Sequence, residues 1–73
     1  ERDLLRDEIE QVVNRTLQLL PEDLRMALTL REFEGLSYED IANVMECPVG
    51  TVRSRIFRAR EAIYKALKPL LEA

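Results

Sequence analysis

Apolar residues recur along the chain at three- and four-residue intervals, the period of amphipathic helices rather than of strands. Near the N-terminus this period predicts a helix over about residues 3–19, with the stripe Leu5, Ile9, Val12, Val13, Thr16, Leu17 and Leu20. Pro21 ends this helix and suits the first position of the next, because proline lacks an N–H that would have no partner there. The second stripe consists of Leu24, Ala27, Leu28 and the Leu30–Phe33 pair.

The third predicted helix is short and clearly delimited. Gly35 suits a left-handed turn that ends the second helix, and Ser37 is the predicted N-cap of the third. Asp40 occupies the capping-box position, and Leu36 is placed to pack onto Ile41 across the helix start. The predicted inward face consists of Ile41, Ala42 and Met45.

A turn at residues 46–48 precedes a fourth helix predicted from about Val49 to Leu67, with Pro69 just beyond its end and the last residues frayed. At about 100° per residue, one narrow arc of this helix carries the core stripe Val52, Ile56, Ala59 and Ile63. The opposite side carries Ser54 and Glu61, flanked by Phe57 and Arg58. Arg53 and Arg60 lie on one border of this outer face, and Thr51 and Arg55 lie on the other.

A short capped helix, a tight turn and a basic helix form the arrangement of a helix-turn-helix. The sequence therefore predicts an all-α, compact four-helix domain over residues 1–73. Its helix-turn-helix spans about residues 38–57, and its recognition helix spans about residues 49–67. An exposed Phe57 between Ser54 and Arg58 suits a DNA groove, where a ring contacts a thymine methyl and arginine reads guanine. The alternative is that Phe57 folds back onto a neighbouring helix.

The charge distribution separates the chain into an acidic body and a basic helix. The net charge of the 73 residues is −3. Residues 1–47 carry five basic and twelve acidic side chains (net −7), whereas residues 48–73 carry six and two (net +4). A solvated helix face with i,i+4 pairs is the ordinary explanation of such a segment. Behind a helix-turn-helix turn, the same arginines favour DNA binding.

Composition argues against several other classes of protein. One cysteine cannot form an internal disulfide, and without histidine we expect no zinc site; Cys47 is predicted to be a small buried packing residue. We expect no catalytic residue and no cofactor, since the sequence has no nucleophile elbow and no phosphate loop. With no signal peptide or long apolar run, we expect an intracellular fragment of a larger protein.

Three segments of the chain form a combined motif: LP-x₃-R at Leu20–Arg25, LRE-x₂-GLSY-x-[DE]-IA at Leu30–Ala42, and CPVGTVRSRI-x-RARE at Cys47–Glu61. Together they resemble the C-terminal domain, region 4, of bacterial extracytoplasmic-function sigma factors. The likeness is greatest to the envelope-stress sigma-E group and to the alginate-regulating sigma factors of pseudomonads. It covers residues 20–63 densely, and the preceding helix fits in length and pattern.

This resemblance implies recognition of the minus-35 promoter element, with the fourth helix in the major groove, to direct RNA polymerase to stress-response promoters. It implies base-reading residues at Arg53, Ser54, Phe57 and Arg58. It implies phosphate contacts at Tyr38 and Thr51, and the further candidates for phosphate contact are Ser37, Arg55 and Arg60. Both helix N-termini that these residues flank attract phosphate by themselves.

The resemblance also implies protein partners. Members bind the β flap of the RNA polymerase core, and many are masked by a membrane-tethered anti-sigma factor. We therefore expect a cytoplasmic bacterial protein that is held at the inner membrane when an anti-sigma factor binds it. We expect no small-molecule substrate and no direct insertion into the membrane. The N-terminal domain that reads the minus-10 element is not among these residues, so initiation needs more than this chain.

Two other classes of protein remain open, one that binds DNA and one that binds only proteins. A stand-alone helix-turn-helix regulator, such as a LuxR-type output domain, shares the GxS-x₃-IA start found at Gly35–Ala42. That family carries Lys or His after the Thr-Val pair and lacks the RSR-x₃-RARE run. A protein-binding helical module would instead show no salt-dependent affinity for duplex DNA.

Overall fold

Four helices joined by short turns make up the computed structural model, which describes residues 2–72. They are α1 (Arg2–Leu19), α2 (Glu22–Glu32), α3 (Tyr38–Met45) and α4 (Val49–Glu72). No strand occurs between residues 2 and 72, and the all-α, four-helix prediction is confirmed. Residues 1 and 73, which the predicted domain includes, lie outside the described range. The domain measures 43 × 19 × 17 Å, because α1 and α4 are long and extend beyond the core.

The hydrophobic core lies where the other helices meet α4, which packs against each of them. Ile41 of α3 and Val52 of α4 are fully buried, and Ile56 is 1% exposed. Burying side chains of this size contributes about 1.5–3 kcal/mol each. The core stripe predicted for α4 is therefore confirmed, with Ile63 half-buried at its edge. The complete buried set is Leu20, Ala27, Leu28, Ile41, Ala42, Val52, Ile56 and Ala59.

The turn between α2 and α3 follows the predicted capping chemistry. Gly35 has a φ of 71°, the left-handed conformation that glycine adopts without steric cost. The N–H of Leu36 donates to the carbonyl of Leu30 at 3.0 Å, which closes the turn. At the start of α3, the hydroxyl of Ser37 accepts a hydrogen bond from the N–H of Asp40 at 3.1 Å. The predicted N-cap is confirmed.

The turn between α3 and α4 contains a feature that sequence reasoning did not predict. Glu46 has a φ of 54°, so a residue other than glycine occupies the left-handed conformation. The N–H of Cys47 donates to the carbonyl of Ala42 at 3.0 Å, which holds the chain in this turn. Pro48 follows, and its carbonyl accepts a hydrogen bond from the N–H of Thr51 at 3.0 Å. This sharp reversal places α4 across α3.

Two predicted apolar positions are exposed instead. The sequence pattern places Phe33 on the inward stripe of α2, but Phe33 is 68% exposed. Its backbone is still αR and its N–H donates to the carbonyl of Thr29, so Phe33 continues the helical rotation and lies about 180° from Leu24, outside the buried arc. The pattern likewise places Leu5 on the inward stripe of α1, but Leu5 is 45% exposed, since the first turns of α1 extend beyond the core.

The predicted end of α4 is also wrong. The helix does not stop at Leu67 but continues through Pro69 to Glu72. Proline in a helix cannot donate the hydrogen bond to the carbonyl four residues earlier, here that of Lys65, and its ring crowds this carbonyl, but the φ that its ring fixes is compatible with a helix. Only three helical residues follow Pro69, and Leu70 among them is half-buried.

Candidate nucleic-acid interface

The outward face of α4 presents the side chains predicted to read bases. Arg53, Ser54, Phe57 and Arg58 are all exposed, on the first three turns of the helix. Phe57 is 66% exposed, so the alternative in which its ring folds back onto a neighbouring helix is wrong. The helix is held from behind by Val52 and Ile56, which are buried. A rigid helix therefore displays two arginines, a hydroxyl and an apolar ring to solvent.

An open depression of about 430 Å³ lies at the N-terminus of α4. The carbonyl of Pro48 accepts from the N–H groups of Thr51 and Val52, but the start of a helix still carries a partial positive charge, which favours anions at this end. Thr51 and Arg58 both line the depression, and Asp23 of α2 lies on its other side. Its remaining lining residues are Gly50, Ser54 and Arg55.

Arg55 is engaged inside the protein rather than extended into solvent. Its Nε lies 3.5 Å from Oδ2 of Asp23, and its Nη1 donates to Sγ of Cys47 at 3.7 Å. Cys47 packs against the core as predicted, but it is half-buried rather than buried. Arg55 thus connects α4 to the start of α2 and to the turn before α4.

Arg60 is engaged in a similar way with the end of α2. Its Nη2 donates a hydrogen bond to the carboxylate of Glu32, and this bond raises the pKa of the Arg60 guanidinium above its usual value. Within residues 2–72, neither Arg53 nor Arg58 forms such an ion pair. The four arginines of α4 therefore fall into two classes, an outward pair and a pair held by acidic residues of α2.

Tyr38, the first residue of α3, lies beside two arginines. The Cζ atom of Arg31 is 5.0 Å from the centroid of the Tyr38 ring, and that of Arg53 is 5.9 Å from it. Arg31 is itself fixed by a hydrogen bond from its Nη1 to the carbonyl of Leu36, at 2.8 Å. Sequence reasoning missed Arg31, because its position at the end of α2 carries no signal of proximity to a residue of α3.

Ser37 and Thr51 lie at the starts of α3 and α4, and both are half-buried. The hydroxyl oxygen of Ser37 already accepts from the N–H of Asp40, and its proton remains available to an acceptor. The structure therefore brings the predicted phosphate-contact residues to the helix-turn-helix side of the domain, but it leaves Arg55 and Arg60 paired with carboxylates.

An apolar groove of about 330 Å³ opens between α1, α2 and α4. Phe33 and Tyr64 line it and are both strongly exposed. The ion pair of Glu32 and Arg60 also belongs to its lining. The other lining residues are Val13, Leu17, Leu28, Ile63 and Leu67.

The described part of the chain contains neither a cluster of metal ligands nor a helix that could span a membrane. Between residues 2 and 72 no three or more His, Cys, Asp or Glu side chains are grouped so that they could hold a metal ion. Over the same residues, no helix combines the length and apolarity needed to cross a membrane.

Comparison with known proteins places this geometry in a family. Residues 10–63 match the family described as sigma-70, region 4. The chain belongs to this family. The resemblance drawn from the three sequence segments is confirmed, and the LuxR-type output domain is not favoured. The predicted helix-turn-helix fold is thereby confirmed. Its predicted span, about residues 38–57, stays a prediction and would comprise α3, the turn at Glu46 and the start of α4.

Individual relatives of this region 4 domain are sigma factors. The chain is 82% identical over 71 residues to the RNA polymerase sigma-H factor of Pseudomonas aeruginosa, covering 97% of the chain and 37% of that relative. It is 66% identical over 68 residues to the ECF RNA polymerase sigma-E factors of Salmonella typhimurium (strain LT2) and Escherichia coli (strain K12), covering 93% of the chain and 36% of each relative. The chain thus spans little more than a third of the length of these relatives.

Proposed function

We propose that this region 4 domain recognises the minus-35 element of double-stranded promoter DNA for a sigma factor that directs RNA polymerase to stress-response promoters. The observation that carries the proposal is the exposed face of α4, where Arg53, Ser54, Phe57 and Arg58 lie together. Arginine pairs with the O6 and N7 atoms of guanine in the major groove, and an apolar ring contacts a thymine methyl. An α-helix fits that groove with its first turns against the bases.

The two helix N-termini next to this face supply the proposed phosphate contacts. Ser37 and Tyr38 lie at the start of α3, and Thr51 lies in the depression at the start of α4. Backbone N–H groups at such ends bind phosphate oxygens and set the register of a protein on the duplex. Arg55 and Arg60 join these contacts when a phosphate replaces Asp23 or Glu32 as their partner.

The proposed protein partners are the RNA polymerase core, through its β flap, and an anti-sigma factor. We assign the β flap to the apolar groove, because the groove is lined by apolar side chains from α1, α2 and α4 and shares none of the proposed base-reading residues. Of the proposed phosphate contacts, only Arg60 also lines the groove. Polymerase and DNA are then bound at the same time, with Arg60 at the border between them. An anti-sigma factor held at the inner membrane would act by covering the arginines and Phe57 of α4.

Selection of bound sequences from a random duplex pool tests the proposed DNA-binding function. A GGAAC-like motif, bound by a monomer with salt-dependent affinity, is the expected result. Enrichment of a palindrome by a homodimer would instead identify a stand-alone regulator, and an absence of salt-dependent affinity would identify a protein-binding module.

The expected affinity of the isolated domain is about micromolar, close to the range of non-specific binding. One helix-turn-helix monomer contacts a single half-site, and the net charge of −3 gives no long-range attraction to DNA. Attachment to polymerase and to the rest of the sigma factor raises the effective concentration and so the overall affinity. Low-nanomolar binding by the monomer alone at physiological salt would contradict this expectation.

A further inference from the structure

We propose that Tyr38 is a positioning residue for Arg53, and that its aromatic ring, rather than its hydroxyl, keeps the Arg53 guanidinium on the DNA-facing side of α4. Arg31 also lies over this ring and helps to restrict it. This inference rests on the proposed DNA-binding function, since it concerns how one base-reading arginine is oriented.

The ring of Tyr38 has a fixed place in the fold. Tyr38 is the first residue of α3, directly after the N-cap Ser37, and its half-buried side chain packs against the core. Arg31 lies over the ring at 5.0 Å, and its own guanidinium is anchored to the carbonyl of Leu36 at 2.8 Å. Residues from α2, the turn and the core therefore restrict the ring before any ligand is bound.

Arg53, by contrast, is exposed and has no ion-pair partner within residues 2–72. A long side chain of this kind loses rotamer freedom when it is ordered against a base. Its Cζ atom lies 5.9 Å from the centroid of the Tyr38 ring, within the range of a cation–π contact. The ring restricts the guanidinium before DNA binds, and part of the ordering cost is thereby removed from the binding step.

This role differs from a phosphate contact in the atoms that it needs. A phosphate contact by Tyr38 uses the hydroxyl and affects all DNA sequences equally. Positioning of Arg53 uses the ring and affects only the base pair that Arg53 reads. Replacing Tyr38 by Phe removes the hydroxyl alone, whereas replacing it by Leu removes the ring as well.

Titration of the protein with duplexes that carry each of the four bases at the pair read by Arg53 tests the proposal. Tyr38→Leu is expected to reduce discrimination at that pair about two- to fivefold, the factor that an exposed cation–π contact confers. Tyr38→Phe should retain the wild-type discrimination. In the background of Arg53→Ala, Tyr38→Leu should cause no further loss of discrimination, because the effects of two substitutions that break the same contact do not add.

A measurement without DNA separates this inference from the proposed function. Nuclear magnetic resonance should show ring-current shifts of the Arg53 side-chain protons in Phe57→Leu, a variant that removes the other aromatic ring near Arg53, four residues along α4. These shifts should persist when Tyr38→Phe is added. If no duplex is bound with base preference, the proposed function fails while these shifts still test the contact. Absence of the shifts in Phe57→Leu overturns the inference even if Tyr38→Leu does not fold. Equal loss of affinity on all duplexes in both Tyr38 variants, with discrimination unchanged, also overturns it and assigns Tyr38 to phosphate.

Discussion

The guanidinium of Arg55 lies 3.5 Å from the carboxylate of Asp23, so an ion pair joins α4 to the start of α2. Glu32, at the other end of α2, holds Arg60 in a second ion pair. The positive charge of α4 is thereby partly balanced from within the domain. Within the described residues, Arg53 and Arg58 are the two arginines of α4 without an ion pair, and both lie on the face proposed to meet the major groove.

Removing the internal acids should increase DNA binding. In Asp23→Asn or Glu32→Gln, the freed arginine is available to a phosphate, so we expect severalfold tighter duplex binding at low salt. The slope of log affinity against log salt should steepen by up to about one unit, the change for one added phosphate contact. Fluorescence anisotropy titrations at several salt concentrations measure both quantities.

Glu22→Gln is the matched control, because Glu22 lies on the same helix and is exposed but has no arginine partner within the described residues. It removes the same charge without releasing an arginine. An equal gain in affinity from Glu22→Gln would assign the effect to net charge and contradict the role of the two ion pairs.

Arg58 should contribute to sequence preference rather than to general affinity. Arg58→Ala is expected to weaken specific binding by about 1–3 kcal/mol and to relax preference at one base pair, because a bidentate arginine–guanine contact is lost. Binding to specific and to random duplexes should be compared in parallel. Arg15→Ala, which removes an exposed arginine from α1, is the control and should leave discrimination unchanged. Equal losses on both duplexes for Arg58→Ala would exclude base reading by this residue.

Ile56 should be a main determinant of stability. It is 1% exposed, and truncation to alanine leaves a cavity that costs about 2–5 kcal/mol of the free energy of unfolding. Val44→Ala, at a position that is 57% exposed, should change that free energy by less than about 0.5 kcal/mol. Denaturant unfolding followed by circular dichroism measures both. A small effect at Ile56 would mean that this face of α4 does not form the core.

The two glycines should respond to alanine with opposite signs. Gly35 has a φ of 71°, so Gly35→Ala should destabilise the domain by about 1–2 kcal/mol through backbone strain alone. Gly50 lies in the first turn of α4, and Gly50→Ala should stabilise it by roughly 0.5–1 kcal/mol. At both positions an added Cβ meets no atom within 4 Å, so steric clash does not confuse the comparison. Destabilisation of equal size at both sites would contradict the conformational explanation.

Local features of this protein were determined by the sequence itself. The helical period placed Val52 and Ile56 inside and Phe57 and Arg58 outside, because one apolar stripe defines the buried face of a helix and so its opposite face. Ser37 determined the start of α3, since its hydroxyl bonds a backbone N–H only three residues away. Such signals depend on neighbours in the chain, and the outward face of α4 could therefore be predicted.

Contacts between distant residues were decided only by the tertiary structure. Arg60 and Glu32 are 28 residues apart, and nothing in their local sequence indicates that α2 and α4 bring them together. The placement of Arg31 and Arg53 beside the ring of Tyr38 likewise depends on how three helices cross. Helix crossing is set by the packing of the whole core, so the sequence predicted which arginines could face DNA, and the fold decided which of them are held by acids.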